Sequence, residues 1–447
     1  MKRLTVLLVA LLAPAALRAQ LPNVAPRSVA LAGAYSSLAR GVEAVAWNPA
    51  MLAARGGPEI TLALPRLFLE LGSNTYSWQD FRHYLNRSLT DQDKQDLLGK
   101  IALGDTVLTI RSIVGLAPFG ISAGPVAFTA ATSGDMDLSM GRDAIELVLY
   151  GNAHRAGPGQ YFTAHGSNGR AWAATTLAGS IALPFNLPQG RLAVGATYKH
   201  VIGHFIGRAN EVRSSFTVAP LLAAQAEGQV LYTDFTSDYS PSGPNDVLGG
   251  QGKAGSGYGV DLGATLQFTG QSTTLSVALI NAVGKMTWDA ARLTYERTGY
   301  TLTQTGSGGV LQDSTRFVLT TPAAIDADPA ARALRDSVLA HGDFARLARL
   351  GFALRSGALS LSADAHVRLK EGLDRQPAQY VAGGAEYRLL GILPLRAGVG
   401  WDFGESLTLA GGAGLQLLGV HLDFSVASIS GNVRPGMVFG VGVGLEY

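Results

Sequence analysis

Two histidines lie two positions from an aspartate, a spacing that could support acid–base chemistry. His366 follows Asp364, and His421 precedes Asp423. Residues two apart on a strand share one face, so each pair could act as a base with its orienting acid in a hydrolase. A hydrolase also needs a nucleophile at the same height, and the same polar pairs line any hydrated lumen. We therefore predict that the chain is not an enzyme.

The other chemical candidates are weaker. His200 and His204 could ligate a metal at their spacing only on a helix, and residues 191–202 have the pattern of a strand. The glycine-rich pieces are not followed by a helix, as a phosphate-binding loop requires. The chain has no cysteine, and its net charge of +2 implies no polyanion partner. We predict no metal, no cofactor and no nucleic-acid partner.

The strands that carry the histidines alternate strictly. Between 358 and 370, aliphatic side chains face one way and polar or charged side chains face the other, and the segments 395–403 and 420–427 repeat the pattern. One face suits lipid and the other a hydrated lumen. The predicted polar lumen residues are Asp364, His366, Arg368, Glu386, Asp402, His421 and Asp423.

Short connections join these runs, so successive strands must be antiparallel neighbours. Weaker candidate strands lie upstream, among them 145–150 and 292–302, separated by long polar loops. A segment within 328–349 has the pattern of a short amphipathic helix, which we expect to be a solvated loop helix. The sequence predicts an all-β, transmembrane, antiparallel up-and-down β-barrel of about 14 strands.

A soluble sandwich would show the same alternation, so the compartment has to be decided elsewhere. Residues 1–19 have the charged start, short apolar run and small-residue site of a cleaved signal peptide. The apolar run is too short for a membrane helix. Only 15% of residues are charged, against about 25% in ordinary soluble domains. These features favour the bacterial outer membrane, with its lipid as the solvent of the barrel wall.

The chain ends on an aromatic residue. Gly442, Leu445 and Tyr447 match the terminal pattern of bacterial outer-membrane barrels, which is a glycine, a hydrophobic residue and a final aromatic. This resemblance implies recognition by the barrel assembly machinery. We predict residues 106–447 as the barrel, with long extracellular loops.

Residues 20–105 lack the barrel pattern and are predicted to form an N-terminal hatch. The run Leu31 to Tyr35, followed by Val45 to Ala50, resembles the start of the mature chain in FadL-like outer-membrane proteins. That family transports long-chain fatty acids and hydrocarbons. The resemblance implies that Trp47, Asn48, Pro49 and Ala50 belong to a hatch that plugs the barrel and gates it. It also implies passive transport of hydrophobic, fatty-acid-like small molecules.

A related PorV-like branch carries the same Trp-Asn-Pro-Ala motif and serves protein secretion. The alternative is therefore a non-transport component that binds secreted proteins through its loops. The segment 84–101 departs from the fatty-acid transporters. Thr90 and Asp93 predict a helix start, and Leu97, Leu98 and Ile101 form its apolar stripe. An apolar cavity touching residues 48–50 would favour transport, and a lumen filled by folded loops would favour scaffolding.

Overall fold

The computed structural model describes most of the 447 residues. The described ranges are 25–84, 88–101, 107–151, 160–217, 221–233, 253–268, 272–307, 309–340, 342–373, 377–403, 406–431 and 435–447. The expected signal peptide, 1–19, lies outside them.

Fourteen strands form one closed antiparallel ring, because each pairs with the next and the last pairs with the first. This confirms the predicted barrel and strand number. The ring strands, named by their order in the whole chain, are β1 Ile60–Ser73, β2 Val107–Ala123, β3 Val126–Gly141, β5 Asn168–Leu187, β6 Gly190–Thr217, β8 Gly255–Phe268, β9 Thr273–Trp288, β12 Arg346–Ser356, β13 Leu359–Lys370, β14 Gln379–Leu389, β15 Leu393–Asp402, β16 Ser406–Leu417, β17 Val420–Gly431 and β18 Gly436–Glu446.

Strand β1 corrects the expected boundary between hatch and barrel. Residues 20–105 were expected to lie outside the barrel, but Ile60–Ser73 pairs with β18 on one side and β2 on the other and closes the ring. Pro65 and the irregular alternation of apolar and polar residues around it make this strand hard to recognise in the sequence. The inward positions change phase there, since Ala63 and Arg66 are both buried on the lumen side.

A second sheet extends from the ring at its long-loop end. The second half of β6 pairs with β7 Ala223–Thr233, which pairs with β10 Leu293–Gln304, and β10 pairs with β11 Val310–Leu319. The short strand β4 Tyr161–Phe162 also pairs with β6. The predicted strand at 292–302 therefore exists but lies outside the ring. The predicted strand at 145–150 is wrong, because α5 Arg142–Tyr150 is a helix.

The two faces of the wall differ as the alternation predicts. Leu361, Val399 and Phe424 are 41%, 47% and 57% exposed on the outer surface, whereas their polar neighbours are buried inside. An apolar outer surface on a closed barrel is what a lipid bilayer requires, since closure of the ring removes the open sheet edge. No helix in the described part of the chain is long and apolar enough to cross a membrane.

Helices decorate the long-loop end: α3 Trp78–Tyr84, α4 Asp91–Gly99, α5, α6 Pro322–Ala327 and α7 Pro329–Leu339. The predicted start of α4 is confirmed, because Thr90 and Asp93 form a reciprocal capping box. Helix α7 is not a solvated loop helix. Its Leu334 and Val338 are buried in an apolar cluster with Trp288 and Tyr295, so it packs against strands at this end of the barrel.

The N-terminal segment lies inside the ring and forms the plug, defined here as residues 25–59. It contains α1 Pro26–Ala30, a 3-10 turn Gly41–Glu43, α2 Ala44–Trp47 and a second 3-10 turn Pro49–Ala53. Most of its side chains are buried against each other and against small residues of the wall. This confirms the predicted hatch inside the barrel.

Candidate functional site

Asn48 anchors the plug to the wall. Its side-chain oxygen accepts a hydrogen bond from the Ala50 backbone N–H at 3.0 Å and so caps the second 3-10 turn. Its amide nitrogen donates to the backbone carbonyls of Ala264 on β8 and Val277 on β9, at 3.2 and 3.3 Å. Asn48 is completely buried, so each of these bonds replaces one that water would otherwise make.

Glycines on the lumen face make room for the plug. A Cβ on Gly263 would lie 2.0 Å from the Asn48 Oδ1, and one on Gly195 would lie 2.5 Å from the backbone of Pro49 and Ala50. Farther round the wall, Gly384, Gly398 and Gly412 meet the plug residues 30–32 in the same way. The lumen glycines therefore provide space for the plug.

An ion-pair network joins α1 to the wall. The Arg27 guanidinium lies 3.0 Å from the Glu386 carboxylate, and Arg396 lies 2.7 Å from the same carboxylate oxygen. Arg396 also pairs with Asp423. Two of the predicted lumen carboxylates, Glu386 and Asp423, thus meet through a shared arginine.

Glu43 forms a second charged contact between plug and wall. It lies 3.4 Å from Arg66 on β1 and accepts a hydrogen bond from the Tyr35 hydroxyl. Burial favours its neutral acid form, but Arg66 and Arg27 outweigh that effect and hold the pKa of Glu43 below its ordinary value. Glu43 is therefore a carboxylate at neutral pH.

The remaining predicted lumen residues lie at different heights and do not form one cluster. Asp364 accepts a hydrogen bond from the Ser36 backbone N–H at 2.8 Å. Arg368 pairs with Glu371 at 3.1 Å. His421 lies 4.0 Å from Glu446 near the short-turn end. Within the described ranges, no three His, Cys, Asp or Glu residues come together as a metal site.

A cavity of about 150 Å³ lies between the plug and the wall. Three of the predicted residues, Trp47, His366 and Asp402, line it, whereas Asn48, Pro49 and Ala50 do not. One part of its lining is an apolar cluster from α1 and four strands, formed by Val29, Phe68, Ile113, Ala427, Ile429 and Val438. Trp47 is the plug residue that combines a large ring with this position.

Neighbouring side chains hold the Trp47 indole rigidly. The Tyr35 ring meets it edge-on at 5.6 Å, and the Arg349 guanidinium lies 4.5 Å from its centroid. Arg349 also donates to the Ala46 carbonyl at 3.1 Å. On the wall, His366 stacks on Tyr380 at 5.2 Å, and the Tyr380 hydroxyl donates to the Ala32 carbonyl at 2.7 Å.

Two prolines interrupt the wall beside the plug. The β1–β2 ladder pairs Ala63 with Gly120 and then Arg66 with Ala117, and leaves the intervening residues, including Pro65 and Pro118, without a register partner. Proline has no N–H to give to a ladder. The pairings of β1 with β18 and of β2 with β3 also shift register at these points.

The plug covers this interruption from inside. The Val42 N–H donates to the Thr61 hydroxyl at 3.0 Å, and the Val42 Cβ lies 3.5 Å from where a Cβ on Gly120 would be. With the Glu43–Arg66 pair, the turn Gly41–Glu43 contacts both sides of the unpaired stretch.

The C-terminal residues lie at the short-turn end of the ring. Gly442 faces the plug, where a Cβ would lie 3.1 Å from the Pro26 ring. Leu445 pairs with Val420 and with Leu62, so it joins β18 to both neighbours. Tyr447 is 74% exposed, and its backbone pairs with Ile60.

The model of a family of unknown function, DUF5723, matches residues 49–332, more than half of the chain. The chain belongs to this family. Among curated proteins no significant match was found.

Solved structures with similar folds include three hydrocarbon or FadL-type proteins. A mutant of the monoaromatic hydrocarbon channel TodX has a TM-score of 0.49 at 13% identity, over 94% of this chain and 98% of that one. The monoaromatic hydrocarbon channel CymD has a TM-score of 0.47 at 14% identity, over 94% and 97%. A Pseudomonas aeruginosa FadL homologue has a TM-score of 0.46 at 13% identity, over 96% and 99%. FadL-type proteins, the family that the sequence resembles, are thus among the structural neighbours of this chain.

Proposed function

We propose that this chain is a passive outer-membrane channel for hydrophobic small molecules. The observation that carries the proposal is the partly apolar cavity between the plug and the wall of a barrel whose outer surface is apolar. A channel of this kind needs an apolar pocket on the path and a movable barrier, but no reactive group. The expectation that the chain is not an enzyme belongs to the same proposal.

Solute can leave the cavity along the lumen or sideways into the membrane. Phe68 and Ile113 line the cavity and lie on the same two strands as Pro65 and Pro118. A sideways exit through the interrupted ladder would release a hydrophobic molecule directly into lipid. The turn Gly41–Glu43 covers the interruption from inside and belongs to the plug inside the ring. We therefore expect it to move for a sideways exit, and to move with the plug for an exit along the lumen.

Within this proposal, Asn48, Pro49 and Ala50 act as the fixed anchor of the plug, and Trp47 is the plug residue that meets the solute. The fatty-acid-like ligand remains a prediction, as does recognition of Gly442, Leu445 and Tyr447 by the barrel assembly machinery. The cavity volume is close to that of an engineered cavity of about 150 Å³ that binds benzene, so it holds one ring-sized piece of a solute at a time.

The second sheet is the observation that favours the alternative, a PorV-like component that binds secreted proteins. Strand β11 is exposed along almost its whole length, with Leu311 and Phe317 at 66% and 47%. Exposed apolar strands can add a strand from another protein. Removing residues 310–319 would then abolish secretion of a client and leave solute uptake unchanged.

An uptake assay in a deletion strain tests the transport proposal. The strain is complemented with the native protein, with Asn48→Ala or with no protein, and the uptake of labelled toluene and labelled oleate is measured. We expect the native protein to restore uptake of at least one solute. Equal uptake in all three strains, with assembled barrel present in the membrane, would remove the proposal.

A further inference from the structure

Trp47 differs from the other buried tryptophans in its hydrogen bonding. The indole N–H of Trp172 donates to the Leu373 carbonyl at 3.1 Å, and that of Trp288 donates to the Gly342 carbonyl at 3.1 Å. Trp47 is only 2% exposed, yet its Nε1 has no hydrogen-bond partner among the described residues. A buried donor without a partner is destabilising, so this position favours a ligand that supplies an acceptor.

His366, on the barrel wall, shows the same lack of a hydrogen-bond partner. It is 8% exposed, and within the described part of the chain its Nε2 also has no partner. Both side chains line the cavity. A hydroxyl group can accept a hydrogen bond from the indole N–H and can either donate to or accept from an imidazole nitrogen. A pure hydrocarbon satisfies neither nitrogen.

The charges around the cavity disfavour an anionic ligand. Its lining contains the carboxylates of Glu70 and Asp402 and one guanidinium, that of Arg111. Arg111 is already surrounded by carboxylates, with Glu70, Asp135 and Asp137 at 3.7, 3.6 and 3.9 Å. Among the described lining residues, a ligand carboxylate would therefore meet two like charges against one guanidinium that three carboxylates already share.

We propose that this cavity is a binding site for a neutral, single-ring-sized molecule that carries a hydroxyl group, such as a phenol. The apolar cluster around Phe68 and Ile113 would contact the ring, and the nitrogens of Trp47 and His366 would bind the hydroxyl. This inference rests on the proposed function, since it names the class of solute that the channel takes from water to lipid.

Three probes that share one fluorinated ring test the proposal on the purified full-length protein in detergent. Fluorine NMR relaxation measures the dissociation constants of 4-fluorophenol, 4-fluorotoluene and 4-fluorobenzoate, each corrected for partition into protein-free micelles. We expect 4-fluorophenol and 4-fluorotoluene to bind and 4-fluorobenzoate not to bind. Addition of 4-fluorophenol, but not 4-fluorotoluene, should shift one indole N–H resonance of the native protein.

Trp47→Phe keeps a ring and removes the donor. We expect it to weaken 4-fluorophenol about fivefold, the effect of one neutral hydrogen bond, and to leave 4-fluorotoluene unchanged. Trp172→Phe, which removes a buried indole N–H away from the cavity, should not change the ratio of the two constants. If Trp47→Phe does not assemble, His366→Leu gives the same comparison.

Equal weakening of both probes, an unchanged ratio or tight binding of 4-fluorobenzoate would overturn the inference. These results are distinct from failure of the channel. If toluene is taken up but 4-fluorophenol binds no better than 4-fluorotoluene, the channel proposal stands and the proposed hydroxyl site is rejected. If 4-fluorophenol binds selectively but no solute is taken up, the proposed hydroxyl site stands and the channel proposal is rejected.

Discussion

The Arg27 guanidinium on the plug lies 3.0 Å from the Glu386 carboxylate on β14, with the Arg27 side chain 12% exposed and the Glu386 side chain 2% exposed. The pair joins the first helix of the plug to the barrel wall. Two further arginines, Arg396 and Arg388, contact the same carboxylate at 2.7 and 3.4 Å. Glu386 therefore accepts from three arginines, of which Arg396 also pairs with Asp423 and Arg388 is 44% exposed.

Glu386→Gln should loosen the plug strongly. Breaking a buried ion pair from one side typically costs about 3–5 kcal/mol, because the partner charges remain buried without compensation. We expect plug residues to become cleavable by protease at a much lower urea concentration than in the native protein. Glu371→Gln is the matched control, because Glu371 is 49% exposed and its pair with Arg368 should contribute less than about 1 kcal/mol. Equal sensitivity of the two variants would contradict this role for Glu386.

Asn48→Ala should destabilise plug docking by about 2 kcal/mol. The change removes three hydrogen bonds and leaves the Ala50 N–H buried without its acceptor. The same urea-dependent proteolysis measures the effect. Asn186→Ala, near the end of β5, removes one exposed contact of the plug, from the Arg55 guanidinium at 3.4 Å, and should stay within about 0.5 kcal/mol of the native protein. If the two asparagine variants behave alike, Asn48 is not the anchor.

Gly263→Ala tests the fit between wall and plug. Its new methyl group would lie 2.0 Å from the Asn48 Oδ1, so the 3-10 turn that Asn48 caps must shift. We expect partial loss of the plug, detected as faster exchange of the Asn48 and Ala50 amide hydrogens. Gly179→Ala, with nothing within 4 Å of its new Cβ, should exchange like the native protein. Slow exchange in Gly263→Ala would show that the turn does not depend on this space.

Acid should weaken the contact at Glu43. Because its pKa is lowered in the folded protein, its contribution is fully present above the ordinary value near 4.5 and is lost as pH falls through the lower, folded value. The urea midpoint of plug release should therefore fall steeply below about pH 4.5. In Glu43→Gln the midpoint should start lower and depend less on pH. A native-like acid slope in this variant would assign the effect to another group.

Much of the barrel could be predicted from the sequence, because lipid outside and water inside impose strict alternation on strands such as β13 and β15. Strand β1 could not, since Pro65 shifts its inward positions and the segment lies next to the plug. Helix α5 is predicted as a strand, because its apolar run is too short for its periodicity to distinguish a helix from a strand. The second sheet was counted with the barrel, since alternation does not tell which strands close the ring.

The candidate site could be predicted only in part. The polar face of the barrel strands identified His366 and Asp402, and the family resemblance identified Trp47. Arg27 was missed, although a lone arginine in an apolar stretch before Leu31 was a signal that it needed a buried partner. The division between Asn48 as anchor and Trp47 as cavity residue depends on which wall each side chain meets, and a sequence carries no record of that.

A reversible lock on the plug tests the account most directly. The chain has no cysteine, and the Val42 Cβ lies 3.5 Å from the Cβ position of Gly120, within the range of a disulfide. In Val42→Cys/Gly120→Cys the only disulfide would fix the turn Gly41–Glu43 over the interrupted ladder.

The matched variant Ala63→Cys/Gly120→Cys joins β1 to β2, where the Ala63 Cβ also lies 3.5 Å away, and leaves the plug free. Loss of uptake in this second variant would assign the exit to the gap between β1 and β2, and normal uptake would assign it to the lumen.

The decisive measurement is solute uptake by cells carrying Val42→Cys/Gly120→Cys, before and after reduction, with disulfide formation checked by mass spectrometry. If the plug must move for solute to pass, oxidation reduces uptake to about the level of the deletion strain and a reducing agent restores it. Undiminished uptake through the fully oxidised protein would contradict it.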